Sequence, residues 1–218
     1  MSGADKLNPQ RRAAIKMLSK LPRGGSAAEI GVYRGDFSEM ILRTVRPKSL
    51  TLVDPWQWRE QWFAQHESNE IAAIAEGEAT AEGEAIYQSV VTRFRDASAV
   101  HIVREASHRA CLGASDCSLD WVFIDGDHRY APALGDLRDW WPKVKPGGWI
   151  CGDDYDLQPP PFSQRDENPN GVFWAVNEFA RENTLELSLI PWGEGDMRAH
   201  YMIRKPIARR FGMLSKWR

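Results

Sequence analysis

Residues 27–38 read AAEIGVYRGDFS, and this stretch decides the fold. Its first five residues predict a short β-strand, and the apolar residues that recur at every fourth position as far as Val45 predict a helix. Gly31 and Gly35 lie between the two elements, where glycines let backbone amides approach a ligand and the helix N-terminus favours a carboxylate or phosphate. The glycine spacing is GxxxG and not GxGxxG, so the fingerprint of dinucleotide-binding enzymes is missing.

Short apolar runs and amphipathic stretches alternate along the rest of the chain. Further strands are predicted at 49–53, 100–103, 121–124, 149–151, 185–190 and 200–204, and helices lie between most of them. Such alternation is typical of an α/β fold with a doubly wound, mostly parallel sheet that has helices on both faces. The run from Trp121 to Ile124 is wholly apolar, as expected for a central parallel strand that is covered on both sides.

Length and composition favour one globular domain over residues 1–218. Hydrophobic residues make up 43% and charged residues 27% of the chain, which excludes a disordered or fibrous protein. The net charge of −2 gives no reason to expect nucleic acid as a partner. No apolar run approaches the ~18 residues of a membrane span, and the N-terminus is polar. Three cysteines without metal-type spacing then predict a cytoplasmic protein.

Two segments fall outside the alternation. Residues 56–84 contain seven Glu and three Trp, and they predict a helical insertion or lid over the sheet edge. The indole rings of this insertion either line an acceptor site or pack the lid on the core, and the proline-rich loop at 158–162 is a second candidate wall. Residues 205–218 form a basic C-terminal tail, for which a solvated terminus, an anionic surface and an oligomer contact are the alternatives.

One polar side chain follows the second strand, at the sheet edge where an open parallel sheet binds its ligands. Asp54 lies about 20 residues after the glycine loop, so it could accept both hydroxyls of a ribose, or cap a helix. The loop and this acid together suggest a cofactor that carries a nucleoside and whose other end need not be a pyrophosphate.

Carboxylates also follow the fourth and fifth parallel strands. Because Asp125, Asp153 and Asp154 come at adjacent strand ends, they should converge, and like charges held so close favour a bound cation or a raised pKa. All-oxygen ligands suit Mg²⁺ better than zinc. His128 follows Asp125 by three residues. With an ordinary pKa of about 6.5 it would be neutral at pH 7, which favours His128 as the general base over Asp125.

The segments EIGVYRG, LVDPW, FIDGDHRY and KPGGWICGDDY follow one another between about residues 25 and 205. Together they resemble class I S-adenosylmethionine-dependent methyltransferases. The DGDH and GDDY boxes are most similar to the O-methyltransferases that include the macrocin and other sugar O-methyltransferases. The resemblance implies a seven-stranded Rossmann-like sheet in the order 3-2-1-4-5-7-6, with the last strand antiparallel. It also implies methyl transfer to a hydroxyl of a small molecule, sugar or glycan.

The resemblance further implies roles for individual residues. The methionine part of the cofactor would be held by Glu29, Gly31, Gly35 and Ser38. Asp54 would bind the ribose, while Trp56 and Ser107 would lie near the adenine. The residues that match the divalent-metal triad are Asp125, Asp153 and Asp154, and Asp125 would also border the cofactor.

Two residues depart from the family pattern. Tyr33 stands where many methyltransferases have a further glycine, and His128 stands where related catechol-type enzymes have a catalytic lysine. The sequence therefore predicts a metal-assisted O-methyltransferase, with His128 or Asp125 as the base and a homo-oligomer as one possible assembly. Two alternatives stay open at this point: a cofactor-binding protein without catalysis, and an oxidoreductase on the same topology, against which the missing GxGxxG counts.

Overall fold

The computed structural model describes residues 8–57, 81–166, 168 and 170–207 of the chain. Most of the predicted insertion at 56–84 and of the basic tail at 205–218 lies outside the described residues. Their roles as a lid and as a contact surface therefore stay predictions.

Strands and helices alternate along the described chain. The strands are β1 (Ser26–Ile30), β2 (Ser49–Val53), β3 (Val100–Val103), β4 (Leu119–Ile124), β5 (Val144–Asp156), β6 (Leu187–Pro191) and β7 (Arg198–Arg204). The helices are α1 (Pro9–Leu18), α2 (Asp36–Thr44), α3 (Ala81–Arg93), α4 (Ser107–Ala110), α5 (Tyr130–Trp140) and α6 (Val172–Glu182).

The strands form one sheet in the order β3-β2-β1-β4-β5-β7-β6. The first five of these strands pair in parallel, whereas β7 pairs antiparallel with both of its neighbours. This order confirms the predicted doubly wound α/β fold. Because parallel strands place their carboxyl ends at one edge, the residues that follow β1, β2 and β4 meet there.

Both faces of the sheet are buried. Successive residues of β4 point to opposite faces, so Trp121 and Phe123 belong to one core cluster and Val122 and Ile124 to the other. Helices α1, α2 and α3 contribute to the cluster of Trp121, and α5 and α6 contribute to the cluster of Val122. Burial on both sides explains why the run from Trp121 to Ile124 in this strand is wholly apolar.

Strand β5 is longer than the sequence predicts. The Pro-Gly-Gly segment at 146–148, which predicts a turn, lies within the strand, because two backbone hydrogen bonds of 2.8 Å join it to Lys205. At the other end β5 continues to Asp156, so Asp153 and Asp154 lie inside a strand rather than after it. The directions of these two side chains therefore depend on the pleat of the strand.

Helix α1 packs against β6 and β7 at one end of the sheet. Asn8 and Pro9 fix its start: Asn8 Oδ1 accepts the backbone N–H of Arg11 at 2.8 Å, and Pro9 occupies the first helical position. Met17 and Leu18 are buried in the core. Among the described residues, no helix combines the length and the apolar character needed to cross a membrane.

Met17→Ala should lower the free energy of unfolding by about 2–5 kcal/mol, because truncation of a buried side chain leaves a cavity. Met17 is 0% exposed, whereas Lys16 in the same helix is exposed and provides the control variant Lys16→Ala. Chemical denaturation measures both. A Met17→Ala effect no larger than that of the control would show that α1 is not packed as part of the core.

Candidate active site

The loop between β1 and α2 packs so tightly that it requires glycine at two positions. At Gly31 φ is +86°, and a Cβ there would lie 1.9 Å from the backbone oxygen of Asp125. At Gly35 φ is +79°, and a Cβ would lie 2.7 Å from the ring of Phe94. The glycine loop predicted to hold the cofactor therefore touches the end of β4, which carries a predicted acid.

Two polar side chains next to this loop are buried. Glu29 in β1 is 1% exposed and Ser38 in the first turn of α2 is 0% exposed. Their atoms Glu29 Oε2 and Ser38 Oγ have no hydrogen-bond partner among the described residues. Burial raises the pKa of Glu29 well above its ordinary value, against the opposing effect of the Ser38 hydroxyl. Buried polar atoms of this kind indicate a site for a polar ligand.

The Asp54 carboxylate is directed into the glycine loop and is 1% exposed. Its Oδ2 atom accepts the backbone N–H groups of Val32 and Tyr33, each at 2.9 Å, and Oδ1 accepts that of Trp56 at 2.7 Å. The sequence predicts ribose hydroxyls or a helix start as the partners of this carboxylate. In the structure backbone amides occupy part of this carboxylate, and its contact with a ribose stays a prediction.

Trp56 belongs to the core, with an exposed fraction of 0%. Its indole N–H donates to the backbone oxygen of Tyr33 at 2.8 Å, and its ring lies 5.1 Å from that of Tyr87. The sequence left two interpretations open for the indole rings, an acceptor wall or packing on the core. The ring of Trp56 packs on the core. Its predicted place near the adenine stays a prediction. Trp58 and Trp62 lie outside the described residues.

Ser107 begins α4 and contacts α5. Its hydroxyl accepts the indole N–H of Trp140 at 2.9 Å and also bonds the carboxyl of Asp136, which is 8% exposed. Burial raises the pKa of Asp136 from 3.8 to about 7, and the bond to Ser107 opposes this rise. The residue predicted to lie near the adenine is thus held in place by α5.

Three side chains converge where β4 ends beside β5: Asp125, His128 and Asp154. His128 Nε2 lies 3.0 Å from Asp125 Oδ1, and His128 Nδ1 lies 3.4 Å from Asp154 Oδ2. One ligand atom from each lies within 4.8 Å of the others, so the three can share a metal ion. We call this group the Asp–His–Asp cluster. Arg198 of β7 donates to Asp154 Oδ1 at 2.6 Å and adds a positive charge beside it.

His128 differs from the neutral base that the sequence predicts. Burial of its ring acts to lower its pKa, but the hydrogen bond to Asp125 and the charges of Asp125, Asp154 and Asp153 raise the pKa to about 9. His128 is therefore mostly an imidazolium at pH 7 when no cation occupies the cluster. The expectation of a neutral imidazole is wrong for that state, because two carboxylates flank the ring.

Asp153 does not join the cluster, so the predicted convergence of three carboxylates is wrong for this residue. It is 7% exposed, and it accepts Gln10 Nε2 and Trp192 Nε1 at 3.0 Å each and contacts His200 Nδ1 at 2.8 Å. β5 is irregular between Gly152 and Tyr155, where Asp154 has φ of +55°, and in this arrangement Asp154 faces the cluster while Asp153 does not. His128 takes the third place in the cluster.

The segment before α6 binds the backbone of the cluster residues. Asn170 Nδ2 donates to the backbone oxygen of Asp154 at 3.0 Å, and the N–H of Gly171 donates to that of His128 at 2.7 Å. Sequence reasoning missed these two residues and Arg198. The sequence places Arg198 only near the last predicted strand. Its contact with Asp154 cannot be predicted until β7 is known to pair with β5.

A groove of about 350 Å³ runs along α6 beside the proline-rich loop. It is lined by Phe162, Trp174, Asn177, Glu178 and Arg181. Phe162 is 58% exposed. Asn177 Nδ2 donates to the hydroxyl of Tyr155 at 2.9 Å, and the hydroxyl of Tyr130 donates to Glu178 Oε2 at 2.5 Å. Tyr155 directly follows Asp154, and Tyr130 lies two residues after His128. These two hydrogen bonds therefore connect the groove wall to the chain next to the cluster.

A family model described as a methyltransferase domain matches residues 28–155, which is more than half of the chain. The match begins in β1, ends in β5 and includes the whole Asp–His–Asp cluster. The uncharacterized protein R132 of Acanthamoeba polyphaga mimivirus is 26% identical over 130 residues. That similarity covers 58% of this chain and 50% of the viral protein, so the chain matches half the length of this relative.

Solved structures share the fold at low sequence identity. A protein from Corynebacterium glutamicum has a TM-score of 0.63 at 16% identity, over 96% of this chain and 85% of that one. The N-methyltransferase NodS of Bradyrhizobium japonicum, solved with S-adenosyl-L-homocysteine, has a TM-score of 0.58 at 14% identity, over 92% and 90% of the two chains. An O-methyltransferase family protein from Burkholderia thailandensis has a TM-score of 0.57 at 11% identity, over 90% and 56%.

Asp136→Asn should change how stability depends on pH. Because the folded-state pKa of Asp136 is raised from 3.8 to about 7, the folded protein keeps a proton that the unfolded protein releases. The contribution of Asp136 to stability is therefore full below about pH 4 and is lost as the pH rises through about 7. Urea denaturation should show this fall in the wild type and a smaller one in Asp136→Asn. Identical pH dependence of the two proteins would contradict the buried, protonated carboxyl.

Proposed function

This chain belongs to the methyltransferase domain family, and we propose that it transfers the methyl group of S-adenosylmethionine to a hydroxyl oxygen of a small molecule, sugar or glycan. The observation that carries the proposal is the contact of the glycine loop with the Asp–His–Asp cluster. The backbone of Gly31 packs on the backbone oxygen of Asp125, so a ligand in the loop lies beside groups that can accept a proton.

The residues of the loop fit S-adenosylmethionine. The ammonium group of its methionine part can donate to Glu29 Oε2, which is buried without a partner among the described residues. Its carboxylate suits the start of α2, where the described residues provide no side-chain cap for the first N–H groups. When bound, this cofactor supplies an electrophilic methyl group on a sulfonium. The S-adenosyl-L-homocysteine in the related fold of NodS supports the same assignment.

We assign Asp125 as the acceptor of the hydroxyl proton. When no cation is bound, the imidazolium of His128 lies 3.0 Å from Asp125 Oδ1 and would supply positive charge beside the reacting hydroxyl. The sequence favours a neutral His128 as the base. The assignment of Asp125 reverses that preference. The reversal follows from the raised pKa of His128, about 9, which keeps the ring protonated at neutral pH.

The Asp–His–Asp cluster also fits a divalent cation such as Mg²⁺, because it offers two carboxylates and an imidazole at suitable spacing. When bound, the ion would orient the hydroxyl and stabilise negative charge on its oxygen. His128 must be neutral to serve as a ligand, so the cation and the proton on His128 compete for the same place. We propose the cation as the source of positive charge in the active enzyme.

The groove along α6 supports an acceptor of small-molecule or sugar size. It combines the exposed ring of Phe162 with amide, carboxylate and guanidinium side chains, and its Glu178 accepts the hydroxyl of Tyr130, two residues after His128. We place the acceptor between this groove and the cluster. The three cysteines are free thiols, which agrees with the cytoplasmic location that we propose.

A cofactor-binding protein without catalysis is the second candidate from the sequence. It is less favoured because a binding scaffold has no need for two carboxylates and an imidazole beside the cofactor loop. The oxidoreductase alternative loses its basis, because the family match is to a methyltransferase domain. Transfer of a radiolabelled methyl group from S-adenosylmethionine to hydroxylated acceptors tests the activity directly.

Glu29→Gln should weaken the binding of S-adenosylhomocysteine by about 10- to 100-fold, because the ligand's ammonium group favours the ionised form of Glu29 and a charge-assisted hydrogen bond contributes about 1.5–3 kcal/mol. Isothermal titration calorimetry measures the affinity. The control is Glu39→Gln, which changes an acid of α2 whose partner is Arg93. A wild type that binds neither S-adenosylhomocysteine nor S-adenosylmethionine would overturn the proposed function.

Asp154→Asn should abolish Mn²⁺ binding, whereas Asp153→Asn should retain it, because only Asp154 belongs to the Asp–His–Asp cluster. Mn²⁺ titration followed by electron paramagnetic resonance measures binding without an acceptor. Chelation should correspondingly stop methyl transfer, and Mg²⁺ or Mn²⁺ should restore it. If the wild type binds no Mn²⁺, or remains active with a chelator, the imidazolium of His128 is the source of positive charge.

A further inference from the structure

We propose that the protein docks on an anionic lipid bilayer through a basic surface, which is built from α1 and the chain segments that precede β1 and β2. Six exposed cations form this surface, which we call the basic face: Arg12, Lys16, Lys20, Arg23, Arg46 and Lys48. The net charge of −2 conceals it, because the acidic insertion at 56–84 contains seven Glu.

The exposed side of α1 carries a stripe of cations. Arg12 and Lys16 are four residues apart in the helix, and Lys20 follows four residues later, in the turn after it. Residues with this spacing lie on the same side of a helix, while Met17 packs in the core. No acid occurs between residues 8 and 28, so nothing in this segment neutralises the stripe.

Backbone hydrogen bonds bring the other three cations next to one another. The N–H of Gly24 donates to the oxygen of Arg46 at 3.2 Å, and the N–H of Lys48 donates to the oxygen of Gly25 at 2.9 Å. Arg23, Arg46 and Lys48 therefore lie on neighbouring segments where β1 and β2 begin. The Asp–His–Asp cluster lies at the carboxyl ends of the strands, so the inference does not rest on the proposed function.

The charges of the basic face are not neutralised by their neighbours. None of its six cations forms an ion pair with another residue in the part of the chain that the structure describes. Cations elsewhere do, as Arg138 lies 2.9 Å from Glu182. The acid beside Gly25 is Asp120, which already accepts Lys145 Nζ at 2.8 Å. Like charges gathered on one face repel one another, so an anionic partner that neutralises them is favoured.

An exposed apolar residue and the basic tail start from the same edge of the sheet. Ile207 is 67% exposed, and its side chain lies beside Gly147 near the start of β5. Residues 208–218 follow it and contain four basic residues, no acid, and the aromatic residues Phe211 and Trp217. Cations mixed with aromatic residues are typical of segments that bind a membrane interface, where the rings enter the headgroup region. This composition favours the anionic surface among the alternatives for the tail.

A lipid bilayer fits these features better than a nucleic acid does. Anionic headgroups can neutralise cations that are spread over a face and a tail, without the fixed spacing of phosphates along a duplex. The interface of a bilayer also accommodates exposed apolar side chains, for which a phosphate backbone offers no environment. Each Lys or Arg near an anionic bilayer raises the affinity about fivefold, so several weak contacts together give stable docking.

Flotation of the full chain with lipid vesicles tests the proposal. The vesicles contain phosphatidylcholine alone, or phosphatidylcholine with about one-third phosphatidylglycerol. We expect the wild type to bind only the anionic vesicles and to be released at high salt, which screens the charges. The combined variant Lys20→Gln, Arg23→Gln and Lys48→Gln should bind these vesicles about 100-fold more weakly, from about fivefold for each charge.

The control removes the same charge from other surfaces. It combines Arg93→Gln, Arg104→Gln and Arg138→Gln, whose arginines are paired with acids in the structure. The two variants have equal net charge, but the control keeps the basic face and should bind the anionic vesicles like the wild type. Circular dichroism checks that both variants fold.

A third variant tests the apolar contribution of the tail. The double substitution Phe211→Ser and Trp217→Ser leaves every charge in place. It should weaken binding to the anionic vesicles by about tenfold or more, because the rings no longer enter the interface. An unchanged affinity would leave charge as the sole attraction and would overturn the choice of a bilayer as the partner.

Three further results would overturn the proposal. The first is a wild type that binds neither kind of vesicle, or binds both equally. The second is an equal loss of affinity in the variant of the basic face and in its control, which would indicate a general effect of net charge. The third is binding to poly(U) RNA, measured by fluorescence anisotropy, that persists at a salt concentration at which the vesicles are released. That result would assign the basic face to a nucleic acid.

Discussion

The close packing of β1 against β4 at their carboxyl ends is the constraint on which the rest of the site depends. The N–H of Asp125 donates to the oxygen of Ile30 at 2.7 Å, and only a glycine at position 31 fits against the backbone oxygen of Asp125. Methyl transfer requires reacting atoms to be held about 3–3.5 Å apart. In the proposed mechanism, a wider separation of these two strand ends would move the proton acceptor Asp125 away from the methyl donor.

Much of this arrangement could be predicted from the sequence, because its signals are local. The glycines of AAEIGVYRGDFS mark a turn between a strand and a helix, and the apolar period gives the alternation of elements. Parallel strands then bring their ends to one edge, which places Glu29, Asp54 and Asp125 together. The strand order itself came from the resemblance to a known family, and the structure confirms it.

The rest depends on contacts that no local pattern records. Which of Asp153 and Asp154 faces the cluster is decided by an irregularity in β5, where Asp154 has φ of +55°, and an offset of one residue would exchange the two. The charge of His128 depends on carboxylates that flank its ring. Trp56 begins an acidic segment in sequence but is buried, since its ring packs in the core and its N–H finds a backbone acceptor.

The chain between Asp156 and Asn170 is closed at its base by the two hydrogen bonds from Asn170 and Gly171 to the backbone of the cluster residues. Residues inserted or deleted between those points need not move the acids, because both ends of the loop are attached to the strands that carry them. Phe162 and its neighbours form one wall of the groove. In the proposed function, natural variation of this loop would change which acceptor is taken while the chemistry is inherited unaltered, so new preferences can evolve by loop exchange alone.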